Sequence, residues 1–339
     1  MASFHEHLEK KIQEQLCSQR VGFLLGAGAS YLDGRGYPLA TQLWERIRDN
    51  LEAVEREAIQ AKLDGGADGI EQALDLLDTG GPCDSPYRHS VTSAIATCFT
   101  DLNPRLDTHS RFMQRLAQRA DPTVPLFCLN YDPLIERAAE SSQVRLVDGF
   151  LGAEQAYFDE AVFQEVSGVA HRGRTKHPHF RPSSGAIHLF KLHGSMGWYE
   201  STTNEVRRCG YSLGIPLGAK RLMIPPQHRK AVDTTAPPYA ALWSEFRRLV
   251  RHGPAPINRL VCVGYGMRDE HVNAVIENGL SRRNFTMIVL AKSVDQGIFS
   301  RWADKRNVVF VTEDRCSLYR EIGPGHPDWW RFEHLANEV

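Results

Sequence analysis

Val21-Gly22-Phe23-Leu24-Leu25-Gly26-Ala27-Gly28-Ala29-Ser30 is the stretch on which the fold turns. Val21 to Leu25 is short, apolar on both faces and rich in strand formers, as in a buried parallel strand. Gly26 and Gly28, with Ala27 between them, remove side chains where the chain must turn sharply and let backbone N–H groups approach a ligand closely. Ala29 and Ser30 then open a helix, whose N-terminus offers free N–H donors and a partial positive charge, a seat for a phosphate. Strand, glycine turn and helix start form the first third of a nucleotide-binding unit. The dinucleotide fingerprint G-x-G-x-x-G is incomplete, because Tyr31 stands at the third glycine position. The acidic residue expected about 20 residues on, at the end of a second strand, is missing too. Glu45 and Asp49 lie near that distance, but within a helical pattern. A hydride-transfer dehydrogenase is therefore disfavoured, and a strand-to-helix turn that binds nothing stays open as the alternative.

Further strand ends carry polar residues of the same rim. Leu126-Phe-Cys-Leu-Asn130-Tyr131-Asp132-Pro133 reads as a buried strand, a polar turn and a helix opened by proline. Ligands of open α/β sheets bind at the carboxyl ends of strands, which puts Asn130 and Asp132 beside Gly26 and Gly28. For Asp132 a helix N-cap is the competing role. Ala186-Ile-His-Leu-Phe-Lys191-Leu-His193 reads as a strand ending at His193, followed by Gly194 and Ser195. A histidine presented there can accept a proton near neutral pH. Arg259-Leu-Val-Cys-Val-Gly264-Tyr-Gly266-Met-Arg-Asp269 repeats the opening grammar, with Asp269 placed to cap the helix Val272–Leu280.

Between these motifs, Phe4, Leu8, Ile12 and Leu16 mark an amphipathic helix. The turn-rich loop Asp33-Gly-Arg-Gly-Tyr-Pro38 is placed to cover a ligand, with Arg35 either meeting its phosphate or solvated. Residues 39–120 read as a helical insertion between the first and second strands. Residues 150–185 read as an irregular insertion holding the basic run His171–His177, expected to be solvated. Arg221–Ile224 is a short apolar run, and Thr286–Ala291 and Val308–Val311 are strands. The closing helix is placed at Cys316–Ile322. The expected fold is α/β: a Rossmann-like parallel sheet flanked by helices, in one domain over residues 1–339.

The whole chain, 339 residues with 42% hydrophobic and 24% charged side chains and a net charge of -1, is that of an ordinary globular protein. The charge balance argues against direct nucleic-acid binding and against an acidic membrane surface. No run reaches the roughly 18 apolar residues of a membrane span, and the N-terminus is too polar for a signal peptide, so a cytoplasmic location is expected. Seven cysteines, an odd number with no C-x-x-C pair, argue against a zinc ribbon and a disulfide framework, and no metal is expected.

Gly-Ala-Gly-Ala-Ser, Asn-Tyr-Asp, Lys-Leu-His-Gly-Ser and Gly-Tyr-Gly-Met-Arg-Asp, in that order on strand ends, resemble the sirtuin superfamily. The resemblance is greater to the Sir2-like domains of bacterial anti-phage defence systems, some of which partner a HerA-type ATPase. It implies that Gly26, Ala27, Gly28 and Ser30 line the pyrophosphate and ribose site of NAD, the substrate. It implies that Asn130 holds the nicotinamide ribose and the attacking water, that Asp132 meets the carboxamide and that His193 is the general base. By the same resemblance Gly194 and Ser195 belong to the binding site, and Gly264, Gly266 and Asp269 lie near the adenosine half. A sirtuin deacylase carries a four-cysteine zinc ribbon, for which this chain lacks the cysteine pairs.

The activity this implies is hydrolysis of NAD+ to nicotinamide and ADP-ribose, as the NAD-depleting effector of a defence system. A homo-oligomer and a HerA-type ATPase are the partners to expect. A protein deacylase or ADP-ribosyltransferase, and a non-catalytic subunit sensing NAD or ADP-ribose, are the alternatives.

Overall fold

The computed structural model describes residues 3–78, 86–165, 168–171, 179–182, 185–211, 213–224, 235–253 and 256–339. Helix α1 (Phe4–Leu16) leads into strand β1 (Val21–Leu25) and the short helix α2 (Ala27–Tyr31). Four helices follow: α3 (Ala40–Ile47), α4 (Ala53–Asp64), α5 (Gly69–Leu77) and α6 (Pro86–Thr100). Then come α7 (Asp107–Ala117), β2 (Thr123–Cys128) and α8 (Leu134–Ser141). Short strands come next: β3 (Leu146–Val147), β4 (Phe150–Leu151), β5 (Ala156–Phe158), β6 (Gly168–His171) and β7 (His179–Pro182). They lead to β8 (Ala186–Lys191), β9 (Gly194–Glu200), β10 (Val206–Arg208) and β11 (Lys220–Met223). The last part holds α9 (Tyr239–Arg247), β12 (Arg259–Val263), α10 (Glu270–Leu280), β13 (Thr286–Leu290), α11 (Gln296–Ala303) and β14 (Val308–Val311). Strands β15 (Arg315–Leu318) and β16 (Glu321–Pro324) and helix α12 (Phe332–Glu338) close the chain.

Among the described residues the main sheet has nine strands in the order β16-β15-β14-β13-β12-β1-β2-β8-β3. From β14 to β3 every pairing is parallel, and β15 and β16 add an antiparallel edge. Alternation within each strand sorts side chains to two cores. Val21, Phe23 and Leu25 meet α1, α7, α8 and α12 on one face, while Leu24 and Cys262 meet α9, α10 and α11 on the other. Each such fully buried large side chain contributes about 1.5–3 kcal/mol relative to exposure. This is why β1 lacks the polar alternation of a half-exposed strand. A third core joins α3, α4, α5 and α6 into a helical cap, seated on Leu134, Met196 and Met223.

The sheet's strand order reverses beside β1, whose neighbours are β2 on one side and β12, far along the chain, on the other. At that point the two glycine turns press together. A Cβ on Gly26 would lie 2.6 Å from Gly264 O, one on Gly28 would lie 2.7 Å from Gly264 Cα, and one on Gly264 would lie 2.2 Å from Ala29 N. Gly264 also has φ +63. The amides of Gly26 and Gly28 donate to Val263 O and Gly264 O, at 3.0 and 2.9 Å. The close approach these glycines permit is thus one of backbone to backbone, and two donors of the expected phosphate seat are engaged within the protein.

Several expectations need correction. Helix α7 is not part of the cap but flanks the sheet, placing Phe112, Met113 and Leu116 in the first core. Residues 150–185 are not simply irregular: β4 and β5 belong to a five-stranded sheet, order β11-β9-β10-β5-β4, and β6 pairs with β7. Partners such as β5 and β10 are distant in sequence, so no local period announces them. The stretch Cys316–Ile322 is a hairpin, not a helix. Cys316 and Leu318 enter the core in alternation, and Tyr319 and Arg320 take left-handed φ of 50 and 84 at the turn. Neither is the glycine or asparagine that usually marks such a turn. The strand expected to end at His193 stops at Lys191, and the chain runs on into β9. The basic run His171–His177 lies, from residue 172 on, outside the described residues. Among the described residues no helix is long and apolar enough to cross a membrane.

Two consequences are measurable. Gly264→Ala meets the Ala29 amide in a left-handed conformation and should cost about 2–4 kcal/mol, seen as a lower midpoint of thermal unfolding. Burial lowers His109 to about 3 and His188 to about 4 from the usual 6.5. The unfolded chain then binds these protons first, so stability falls as pH drops below about 6.5 toward 4. Thermal melts from pH 7 to pH 4 should show that slope, and His109→Leu should flatten it; an unchanged slope in this variant would remove His109 as its source.

Candidate active site

Leaving β2, the chain keeps to the rim of the sheet: Leu129 N donates to Leu25 O at 3.0 Å, and Leu192 N donates to Cys128 O at 2.9 Å. Asn130 turns back over the glycine turn, its Nδ2 donating to Gly26 O at 2.9 Å and to Ser30 Oγ at 2.8 Å. It thereby fixes the start of α2 and keeps its carbonyl oxygen as the acceptor for another group. Ala27, at the tip of the turn, is exposed, and Gly28 is half-buried.

Asp132 does serve as a cap, accepting from Leu134 N at 3.1 Å through Oδ1. Burial raises its carboxyl above the usual range, and Lys191, the Ser30 hydroxyl and the Leu134 amide pull it back. Lys191 is 1% exposed. Its Nζ donates to Asp132 O at 2.5 Å and to Glu136 Oε1 at 2.9 Å, and Tyr211 Oη donates to that same oxygen at 2.7 Å. The Asn130–Asp132 turn therefore rests on a buried ion pair. A lysine ending a largely apolar strand was the signal for it, though nothing local points to Glu136 as its partner.

His193 lies just past the end of β8, the next strand over. Its neighbour Leu192 is held by Trp243 Nε1, which donates to Leu192 O at 3.0 Å, and His193 O accepts from Ile224 N at 2.9 Å. Gly194 makes the turn at φ +80, where a Cβ would lie 2.2 Å from Leu222 O. Ser195 is fully buried, and its hydroxyl donates to Tyr131 O at 3.3 Å, beside Met196 N at 3.1 Å. Tyr131 Oη in turn donates to Ile224 O. Gly194 and Ser195 thus brace the Asn130–Asp132 turn against His193.

Asp269 arrives from β12. Its Oδ1 accepts from His271 N and Val272 N at 3.1 and 3.4 Å, capping α10, and its Oδ2 lies 3.2 Å from His193 Nε2. The side chains of His193 and Asp269 are 5% and 8% exposed, so this contact is shielded from bulk water. Tyr265 fixes the loop, its single Oη proton shared between Asp269 O and Asn273 Oδ1 at 3.1 and 3.0 Å and its oxygen accepting from Asp269 N at 3.2 Å. The carboxylate assigned to the far half of the ligand thus sits against the histidine. Sequence showed the cap but not the pairing, since the two residues follow strands, β12 and β8, that are separated by β1 and β2. A Cβ on Gly266 would meet open space, in contrast to Gly264.

Arg35, one candidate for a ligand's phosphate, is directed elsewhere. Its Nη2 lies 3.6 Å from Glu333 Oε1, and Arg331 Nη1 lies 3.0 Å from Asp33 Oδ2, so the loop after α2 is tied to the C-terminal helix. Among the described residues no group of three or more His, Cys, Asp or Glu side chains is placed to hold a metal ion.

Residues 126–311 match the family model described as the SIR2-like domain, which is more than half of the chain. No curated protein matches. Among solved structures, a mutant Sir2 homologue in complex with ADP-ribose is similar at 13% identity, covering 97% of this chain and 95% of that chain, with a TM-score of 0.47. A mutant Sir2 homologue in complex with 2′-O-acetyl ADP ribose is similar at 14% identity, covering 83% of each chain, with a TM-score of 0.40. The motifs at the strand ends, the largely parallel sheet and the family match agree: the chain belongs to the SIR2-like domain family.

Proposed function

We propose that this chain is an NAD+ hydrolase that cleaves the bond between nicotinamide and ribose, with the described elements acting as a single NAD-binding domain. The observation that carries the reading is the convergence of Asn130 and His193, from paired strands β2 and β8, on the rim beside the Gly26–Gly28 turn, with Asp269 against the histidine. A purely structural role accounts for the glycines and for Ser195. It gives no reason to hold a histidine and a carboxylate together at the sheet's carboxyl edge.

In this reading Ala27, Gly28 and Ser30 receive the pyrophosphate and ribose, and Gly266 offers the open side of the second turn. Asp132, raised by burial, meets the nicotinamide carboxamide. Breaking the glycosidic bond gathers positive charge on the ribose and frees neutral nicotinamide. Water adds to the ribose carbon and loses a proton to His193, giving ADP-ribose. The Asp269 carboxylate stabilises the histidinium so formed, and the Asn130 carbonyl oxygen orients the water.

The motif set and the helical cap after β1 support extending the reading to NAD depletion in anti-phage defence, as a homo-oligomer with a HerA-type ATPase as partner. A deacylase or ADP-ribosyltransferase would use the same rim with an acyl-lysine or protein nucleophile. A sensor would bind NAD or ADP-ribose without turnover.

Purified protein incubated with NAD+ should release nicotinamide and ADP-ribose in equal amounts by chromatography. Asn130→Ala and His193→Ala should each lower kcat by roughly 10²-fold or more, the usual worth of a positioned base. Full activity in His193→Ala would overturn the mechanism, and binding of NAD+ without turnover would favour the sensor. Asp269→Asn keeps a competent helix cap but removes the charge facing His193. It should lower kcat by about 10-fold or more with little change in melting temperature.

A further inference from the structure

A cavity of about 830 Å³ opens between the helical cap, helix α8 and the five-stranded sheet. None of Gly26, Ser30, Asn130, Asp132, His193 or Asp269 lines it, so it is separate from the rim described above. Its volume falls in the range of small-molecule sites. The polar lining is unequal in its needs. Arg137 Nη2 donates to Asn103 Oδ1 at 2.8 Å, and Arg208 is paired with Asp148 and lies over the Phe150 ring, 5.3 Å from its centroid. Both guanidiniums lining the cavity are therefore engaged. Glu136 differs: its side chain is 9% exposed, and its Oε2 is buried with no hydrogen-bond partner among the described residues, while Oε1 takes Lys191 and Tyr211.

A buried carboxylate oxygen without a donor is costly, and its cost falls when a donor arrives. Lys191, Arg137 and Arg208 balance the charges of Glu136, Glu140 and Asp148, so selection at this cavity rests on the unpartnered Glu136 oxygen, which an N–H donor satisfies and an anion does not. Tyr37, Phe99 and Phe150 supply flat apolar walls suited to a planar body.

We propose that this cavity is a second ligand site, taking a planar nitrogen base whose N–H donors meet Glu136 and whose ring lies among the aromatic side chains. The site does not depend on NAD cleavage. Glu136 is also where the cavity meets the support of the candidate active site, because Lys191 bridges that carboxylate to Asp132 O.

Isothermal titration of the whole protein with benzamidine, a flat ring bearing paired N–H donors, tests this directly. The expected result is saturable binding at about 1 mM or tighter, with no binding of benzoate, its shape-matched anion. Ala153→Trp, an exposed position on the cavity's edge, should weaken benzamidine by about 10-fold or more. Glu136→Gln alone would strand the buried Lys191 charge, so it is paired with Lys191→Met, a neutral replacement of both partners that such sites tolerate. That double variant, checked for folding by its melting curve, should also weaken benzamidine by about 10-fold or more. No saturable binding to the wild type, equal affinity for benzoate, or undiminished affinity in both variants would each overturn the proposal.

Discussion

The contact between the two glycine turns is the constraint from which the site follows. Gly26 and Gly28 on one side and Gly264 on the other leave no room for a Cβ between β1 and β12. Because the turns touch, α2 and the loop leading to α10 start from one point at the crevice where the sheet reverses its order. That brings the Asp269 loop within reach of His193, and it gives Asn130 a fixed carbonyl, that of Gly26, on which to anchor. A wider turn on either strand would separate the acid from the histidine by more than any side-chain adjustment could recover, since interiors pack too densely to absorb such a shift.

Buried charge supports the same rim from below. Lys191 lies in the plane of the sheet and reaches across to α8, where Glu136 neutralises it and Asp132 O takes a further proton donor. Leaving either charge alone there would be severely destabilising. The arrangement gives the Asn130–Asp132 turn a defined position, whereas apolar packing alone would leave it free to slide. Ser195 and Tyr131 tie that turn to the connection between β8 and β9 that carries His193.

Much of the architecture was legible because it is written locally. The unbroken apolar runs of β1, β2, β12, β13 and β14 each face two cores, and a glycine or polar turn marks where each of the central three stops. Asp269 as a cap was equally plain from its place before an apolar helical period. What could not be read depends on partners remote in sequence. The small sheet gathers strands of two to seven residues from separate stretches, and the hairpin after β14 turns on Tyr319 and Arg320, residues that do not announce a left-handed backbone. The pairings of His193 with Asp269 and of Lys191 with Glu136 are likewise set by register across the sheet. No spacing rule along the chain encodes them.

The central position of β1 also bears on how the molecule is made. This strand leaves the ribosome long before its partner along one edge, β12, from which it is separated by all the elements from α2 to α9. Until β12 emerges, its apolar residues and one row of backbone donors have only β2 and the flanking helices to engage. An unpaired apolar edge of that kind is a template for association with other chains. Contacts of such long sequence separation also fold slowly. The strand that organises the finished protein is therefore the nascent chain's most exposed liability, and the yield of soluble protein depends on keeping that edge occupied until β12 emerges.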